Sequence, residues 1–287
     1  MGREGSPRFA FVQLELPWDL GPPAGRYVLR GHAGEPEHVL VLQGHGSRPQ
    51  GRLGARRARR VDAGPEPATV SITRATLVDA VPIGDEREAR AWLAGADLAA
   101  RAEAAVDVLN RVLHAQRIVR ADPFVREVAL EQALAVRVGV GRGEEVAEGE
   151  WTEARGVPRP RPRAERRAGA LRPQERFAAL LSGRDVALAA EELTLRARLD
   201  LDRGRTREAA LQARVALEAA LAELQAWSHR ADLAGRLDEL RGHRAAVADA
   251  ANRALEGGLD ADQIAAVQAV VARLEAALAA RVAGGLE

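Results

Sequence analysis

From Pro173 to residue 287 the chain contains no further proline, and Ala and Leu recur there at three- and four-residue spacing. Proline is the residue that a helix interior tolerates least, and small or straight-chain residues are the ones it favours. The pattern predicts an all-helical C-terminal domain with helices over 173–182, 184–203, 206–228, 231–255 and 260–282. Gly204 and Gly257-Gly258 punctuate it. On the last of these helices Ile264, Val267, Val271, Leu274 and Leu278 form one apolar stripe, with Asp260 and Asp262 at its start and Arg281 near its end complementing the helix dipole.

The first part of the chain has the opposite period. Phe9 to Leu16 alternates imperfectly and stops at Pro17, Arg26 to Arg30 follows a Gly-Pro-Pro-Ala-Gly turn, His38 to Gln43 is a short apolar run bounded by Gly44, and Ala68 to Val81 is rich in Val, Ile and Thr. They read as strands, and the short connections between the first three favour antiparallel pairing. Gly44 to Pro67 has few large apolar residues and reads as a loop. Asp85 opens a helical stretch, with Trp92, Ala96, Ala99, Ala102, Val106, Leu109 and Leu113 on one face. Asp122-Pro123 has the form of an N-cap followed by a first-turn proline, and predicts a second helix carrying Phe124, Val128, Leu130 and Leu134. Val136, Val138 and Val140 then alternate, and Gly141-Arg142-Gly143 predicts a hairpin whose return strand spans Glu144 to Trp151. Alternating prolines at Pro158, Pro160 and Pro162 mark a linker. The fold class is therefore α+β. A mostly antiparallel sheet with helices occupies 1–154, a Pro/Arg-rich linker 155–172, and the helical domain 173–287.

Composition removes several functions. There is no cysteine, so disulfides, thiol nucleophiles and thiolate metal sites are excluded. All 42 basic residues are Arg, a usage that reads as GC-rich coding and leaves no lysine for Schiff-base or Walker-type chemistry. Aromatic residues make up 3% of the chain, too few for a base-stacking platform. No run of about 18 apolar residues and no basic-then-apolar leader are evident, so no transmembrane segment and a cytoplasmic location are expected.

Residues 192–218 carry small residues and a glycine at suggestive offsets: Ala197, Gly204, Glu208-Ala209 and Ala216-Leu217-Glu218. The stretch resembles a single tetratricopeptide repeat, with an echo at Gly242 and Ala254-Leu255-Glu256. The resemblance covers about a tenth of the chain, implies partner binding, and carries over no functional residue. The spacing suits a plain antiparallel helical hairpin or a coiled coil as well.

The remaining constellations are sparse. His32, His38 and His45, with Glu35 or Glu37, are the only grouping with metal-ligand chemistry, and their spacing matches no zinc motif. Asp200-Leu201-Asp202 lacks the rest of a calcium loop. Neither a metal nor a cofactor is expected. Two Arg runs stand out: Arg52, Arg56, Arg57, Arg59 and Arg60 in one, and Arg161, Arg163, Arg166 and Arg167 in the other. Guanidinium forks suit polyanions, and codon usage explains the runs equally well. Residues 1–172 hold 27 Arg against 23 acidic residues, and residues 173–287 hold 15 against 18, so the basic surplus is small. Three functional readings follow. The first is an intracellular interaction or scaffolding protein that binds a protein partner, or a second copy of itself, through 206–282 and the stripe on the last helix. The second is binding of nucleic acid or an anionic surface through the Arg runs. The third is an enzyme in the N-terminal domain, of a class that no motif identifies.

Overall fold

The computed structural model describes residues 6–31, 33–45, 72–158 and 167–283. It divides into two compact units, Met1–Arg161 and Pro162–Glu287.

The first unit is built on one antiparallel sheet. Its strands are β1 (Phe9–Leu16), β2 (Gly25–Arg30), β3 (Pro36–His45), β4 (Ile72–Asp79), β5 (Ala135–Gly141) and β6 (Trp151–Gly156), in the order β2-β3-β4-β1-β5-β6. Alternation along the strands sorts the two faces. Val12, Leu14, Leu16, Leu40, Leu42, Ala75, Leu77, Val138 and Val140 all point to one side. There they meet Ala89 and Leu93 of α1 (Glu86–Gly95) and the Ala105, Val106, Leu109 and Leu113 stripe of α2 (Leu98–Arg120). The helical stretch that the sequence presents as one piece breaks at Ala96. Asp97 caps the second helix by accepting hydrogen bonds from the N–H groups of Ala99 and Ala100. Asp85 and Glu88 form a reciprocal capping box at the start of the first.

Two expectations fail beyond α2. No helix follows Asp122-Pro123: the segment runs extended to a single 3₁₀ turn, Leu130–Gln132. The Asp122 carboxylate accepts from the Phe124 N–H and makes a local turn instead of a cap. Buried Asn110 on α2 then fixes the segment. Its Nδ2 donates to the Val128 carbonyl and its Oδ1 accepts from the Val128 N–H, at 2.9 and 2.8 Å. The return strand expected over Glu144 to Trp151 is also displaced. Gly143–Glu148 is a 3₁₀ helix, and β6 begins only at Trp151. The 3₁₀ helix plugs the second face of the sheet, where Val146 packs with Phe11 and Val78, and Trp151 stacks on Phe11.

The second unit is all helical: α3 (Arg167–Leu181), α4 (Ala189–Asp202), α5 (Thr206–Glu223), α6 (Ala231–Gly242), α7 (Arg244–Glu256) and α8 (Ala261–Ala283). The expected linker thus starts later and ends earlier, because Arg155 belongs to β6 and α3 already begins at Arg167. The expected helix over 231–255 is two helices joined at His243. Helices α4 and α5 form an antiparallel hairpin whose turn uses Gly204 at φ +68°, a backbone region that disfavours a Cβ. Ala197, Ala209, Ala213 and Ala216 are fully buried in this unit, and small side chains there permit close helix approach. A carboxylate from the far end of α5 caps the start of α4: Glu223 accepts from the N–H groups of Ala189 and Ala190. By length and mean hydropathy α8 resembles a membrane span. Its apolar face is nevertheless covered by this chain: Val267, Val270, Val271, Leu274 and Ala277 lie in the core with residues of α4, α5, α6 and α7.

Candidate functional site

That burial relocates the proposed interface. Val267, Val271 and Leu274 are enclosed, Leu278 nearly so, and Ile264 is half-buried. The stripe expected to await a partner is covered by the chain's own helices α4, α5, α6 and α7. Surface recognition by the helical unit therefore needs a different face.

Such a face lies between α4 and α8. Leu195 of α4 and Leu278, Ala279, Val282 and Ala283 of α8 line an open groove of about 570 Å³. Most of its wall is apolar, and Leu195 is 65% exposed. On its floor sits Thr194, only 2% exposed, whose hydroxyl has no hydrogen-bond partner among the described residues. That oxygen is itself enclosed, so it belongs to the packed floor and is not presented to a ligand in the groove.

Charged pairs fix both ends. At one end Arg176 of α3 donates to Glu191 of α4 at 2.6 and 2.8 Å and to Asp185 at 3.1 Å. Arg281 of α8 donates to the other Asp185 oxygen at 2.7 Å, and its guanidinium lies 4.8 Å from the centre of the Trp227 ring. Burial pushes the Asp185 carboxyl up, but the hydrogen bonds from Arg176, the Val186 N–H and Arg281 outweigh it and hold the group below its ordinary value. Burial likewise disfavours charge on Arg176, and its two carboxylate partners raise it above the ordinary arginine value. Further along, Arg198 of α4 makes a bidentate pair with Glu275 of α8, both contacts 2.8 Å. The groove therefore has fixed, mostly apolar walls and charges already neutralised at its ends. That arrangement suits the binding of an apolar body.

The other sites suggested by the sequence are either not assembled among the described residues or lie outside them. His38 and His45 lie seven residues apart on β3, roughly 23 Å along a strand, and His32 is outside the described residues. Among the described residues no three His, Asp or Glu side chains group as metal ligands. His38 instead lies 3.2 Å from Asp79, which also pairs with Arg101. Asp200 pairs with Arg205, and Asp202 lies near Arg198. Arg52, Arg56, Arg57, Arg59, Arg60, Arg161, Arg163 and Arg166 lie outside the described residues, as does the side chain of Arg167. Gly141, which the sequence places at a turn, is a strand residue. Sequence reading missed the groove because Leu195 and Val282 lie on different helices, and only the α4–α8 packing brings them together. No family model, curated protein or solved structure matches the chain.

Proposed function

We propose that the chain is an interaction protein whose helical unit receives the apolar face of a partner helix in the α4–α8 groove. The observation that carries this reading is the convergence of Leu195, Leu278, Ala279 and Val282 in one open, mostly apolar groove between α4 and α8. Ala279 and Ala283 stand one helical turn apart on α8, and small residues at that spacing allow a third helix to approach closely. The flanking ion pairs keep the two walls apart at a fixed distance, which lowers the ordering cost of binding.

Site-specific photocrosslinking tests this. A crosslinker at Leu195 or Val282 should trap a product of defined mass, whereas one at Val215, an exposed apolar residue of α5, should not. Ala279→Trp, which fills the groove, should abolish the product. Equal trapping from all three positions, or trapping that survives Ala279→Trp, would refute the groove as the interface.

A further inference from the structure

The C-terminal tip of α2 turns large apolar side chains into water. Ile118 and Val119, in its last turn, are 65% and 83% exposed, and Phe124, just beyond, is 84% exposed. Isolated apolar residues on a surface are ordinary, but three large ones within seven positions form a patch that calls for an explanation.

The tip is held in place by the rest of the unit. Ala121 adopts a left-handed backbone with φ +50°, and the Asp122 N–H donates to the Arg117 carbonyl at 3.1 Å, closing the end of α2. The Phe124 N–H is bound by the Asp122 carboxylate. Four residues on, Val128 is buried and gripped by both ends of the Asn110 side chain. Phe124 is thus displayed from a frame anchored on each side.

The charge around the patch is positive by a small margin. Residues 117–127 contain Arg117, Arg120 and Arg126 against Asp122 and Glu127. Arg117 lies 3.2 Å from the His114 Nδ1. Arg120 and Arg126 form no ion pair among the described residues. The tip is therefore an exposed apolar cluster bordered by two arginines, Arg120 and Arg126, that enter no ion pair among the described residues.

We propose that this tip docks on an anionic lipid bilayer. Ile118, Val119 and Phe124 enter the interfacial layer, and Arg117, Arg120 and Arg126 meet the phosphate and carboxylate headgroups. An exposed apolar cluster with arginines beside it suits a fluid anionic interface. A nucleic acid would engage the cations and leave Ile118 and Val119 in water.

Co-sedimentation of the full chain with vesicles of equal parts phosphatidylcholine and phosphatidylserine tests the proposal. The wild type should sediment with these vesicles and not with pure phosphatidylcholine. Val119→Ser combined with Phe124→Ser should lower the affinity about tenfold or more, because the buried apolar area is lost. Both positions are exposed, so unchanged thermal unfolding should confirm that the variant folds. Because the chain has no cysteine, Val119→Cys provides a single attachment point for an environment-sensitive fluorophore, whose emission should shift to the blue on phosphatidylserine vesicles. Failure of the wild type to sediment, equal binding to neutral vesicles, or no emission shift would overturn the proposal. So would a double-serine variant that binds as well as its parent, which would assign the binding to cations elsewhere. Binding of a mixed-sequence oligonucleotide without vesicle binding would overturn it in favour of nucleic acid.

Discussion

Asp185 shows how one side chain can tie several helices together. Its two oxygens serve Arg176 of α3 and Arg281 of α8, and both Asp185 and Arg281 are almost fully enclosed. Removing one partner of a buried charged pair costs about 3 kcal/mol or more when the other charge is left alone, but here Arg176 keeps Glu191, and Arg281 keeps Glu191 at 3.7 Å and the Trp227 ring. Asp185→Asn should therefore lower the stability of the helical unit by about 1–3 kcal/mol at neutral pH, measured by urea unfolding. The acid dependence has a fixed sign. The folded-state carboxyl titrates below the ordinary value of 3.8, so its contribution is fully present above that value and is lost as pH falls through the lower folded one. Between pH 7 and 5 the gap between wild type and Asp185→Asn should stay constant, and below about pH 4 it should narrow. A gap that narrows already at pH 6 would place the stabilising charge on another group. No local sequence signal announces this network, because Asp185 and Arg281 lie 96 residues apart.

At the scale of elements, local signals succeeded where local forces decide and failed where packing does. The β-branched runs at Phe9 to Leu16 and His38 to Gln43 are strands because their alternate residues have a helical layer to bury against. Asp122-Pro123 carries a sound helix-start signal, yet Asn110 binds the Val128 backbone and draws the chain out before a helix can form. Gly139 lies mid-strand in β5, where Phe11 and the Glu153 carbonyl leave no space for a side chain: a Cβ there would stand 2.6 Å from each. Neither neighbour gives way easily, since one is backbone and the other a fully buried ring stacked on Trp151. Gly139→Ala should therefore destabilise the sheet unit by about 1–3 kcal/mol and alter the near-ultraviolet signal of the Phe11–Trp151 pair. A neutral substitution, with that signal unchanged, would mean that β6 moves freely relative to β5.

At the scale of the whole molecule, the α+β class and the change from strand to helix period were legible, because each follows from the spacing of apolar residues within single elements. The groove and the α2 tip were not, since both depend on how elements are placed in three dimensions. The same distinction bears on cooperativity. The sheet unit buries Leu14, Leu16, Leu40, Leu93 and Leu109 in one core, and the helical unit buries Leu217, Leu224, Leu237, Val271 and Leu274 in another. No residue belongs to both. Two cores without shared members have no reason to melt as one, so a single two-state description should fail for the full chain. Differential scanning calorimetry should resolve two transitions, or one broad transition whose van't Hoff enthalpy is well below the calorimetric value. The variants above assign them: Gly139→Ala should lower only the transition of the sheet unit, and Asp185→Asn only that of the helical unit. If either substitution shifts both transitions equally, the units are energetically coupled, and the independence inferred from their separate cores is wrong.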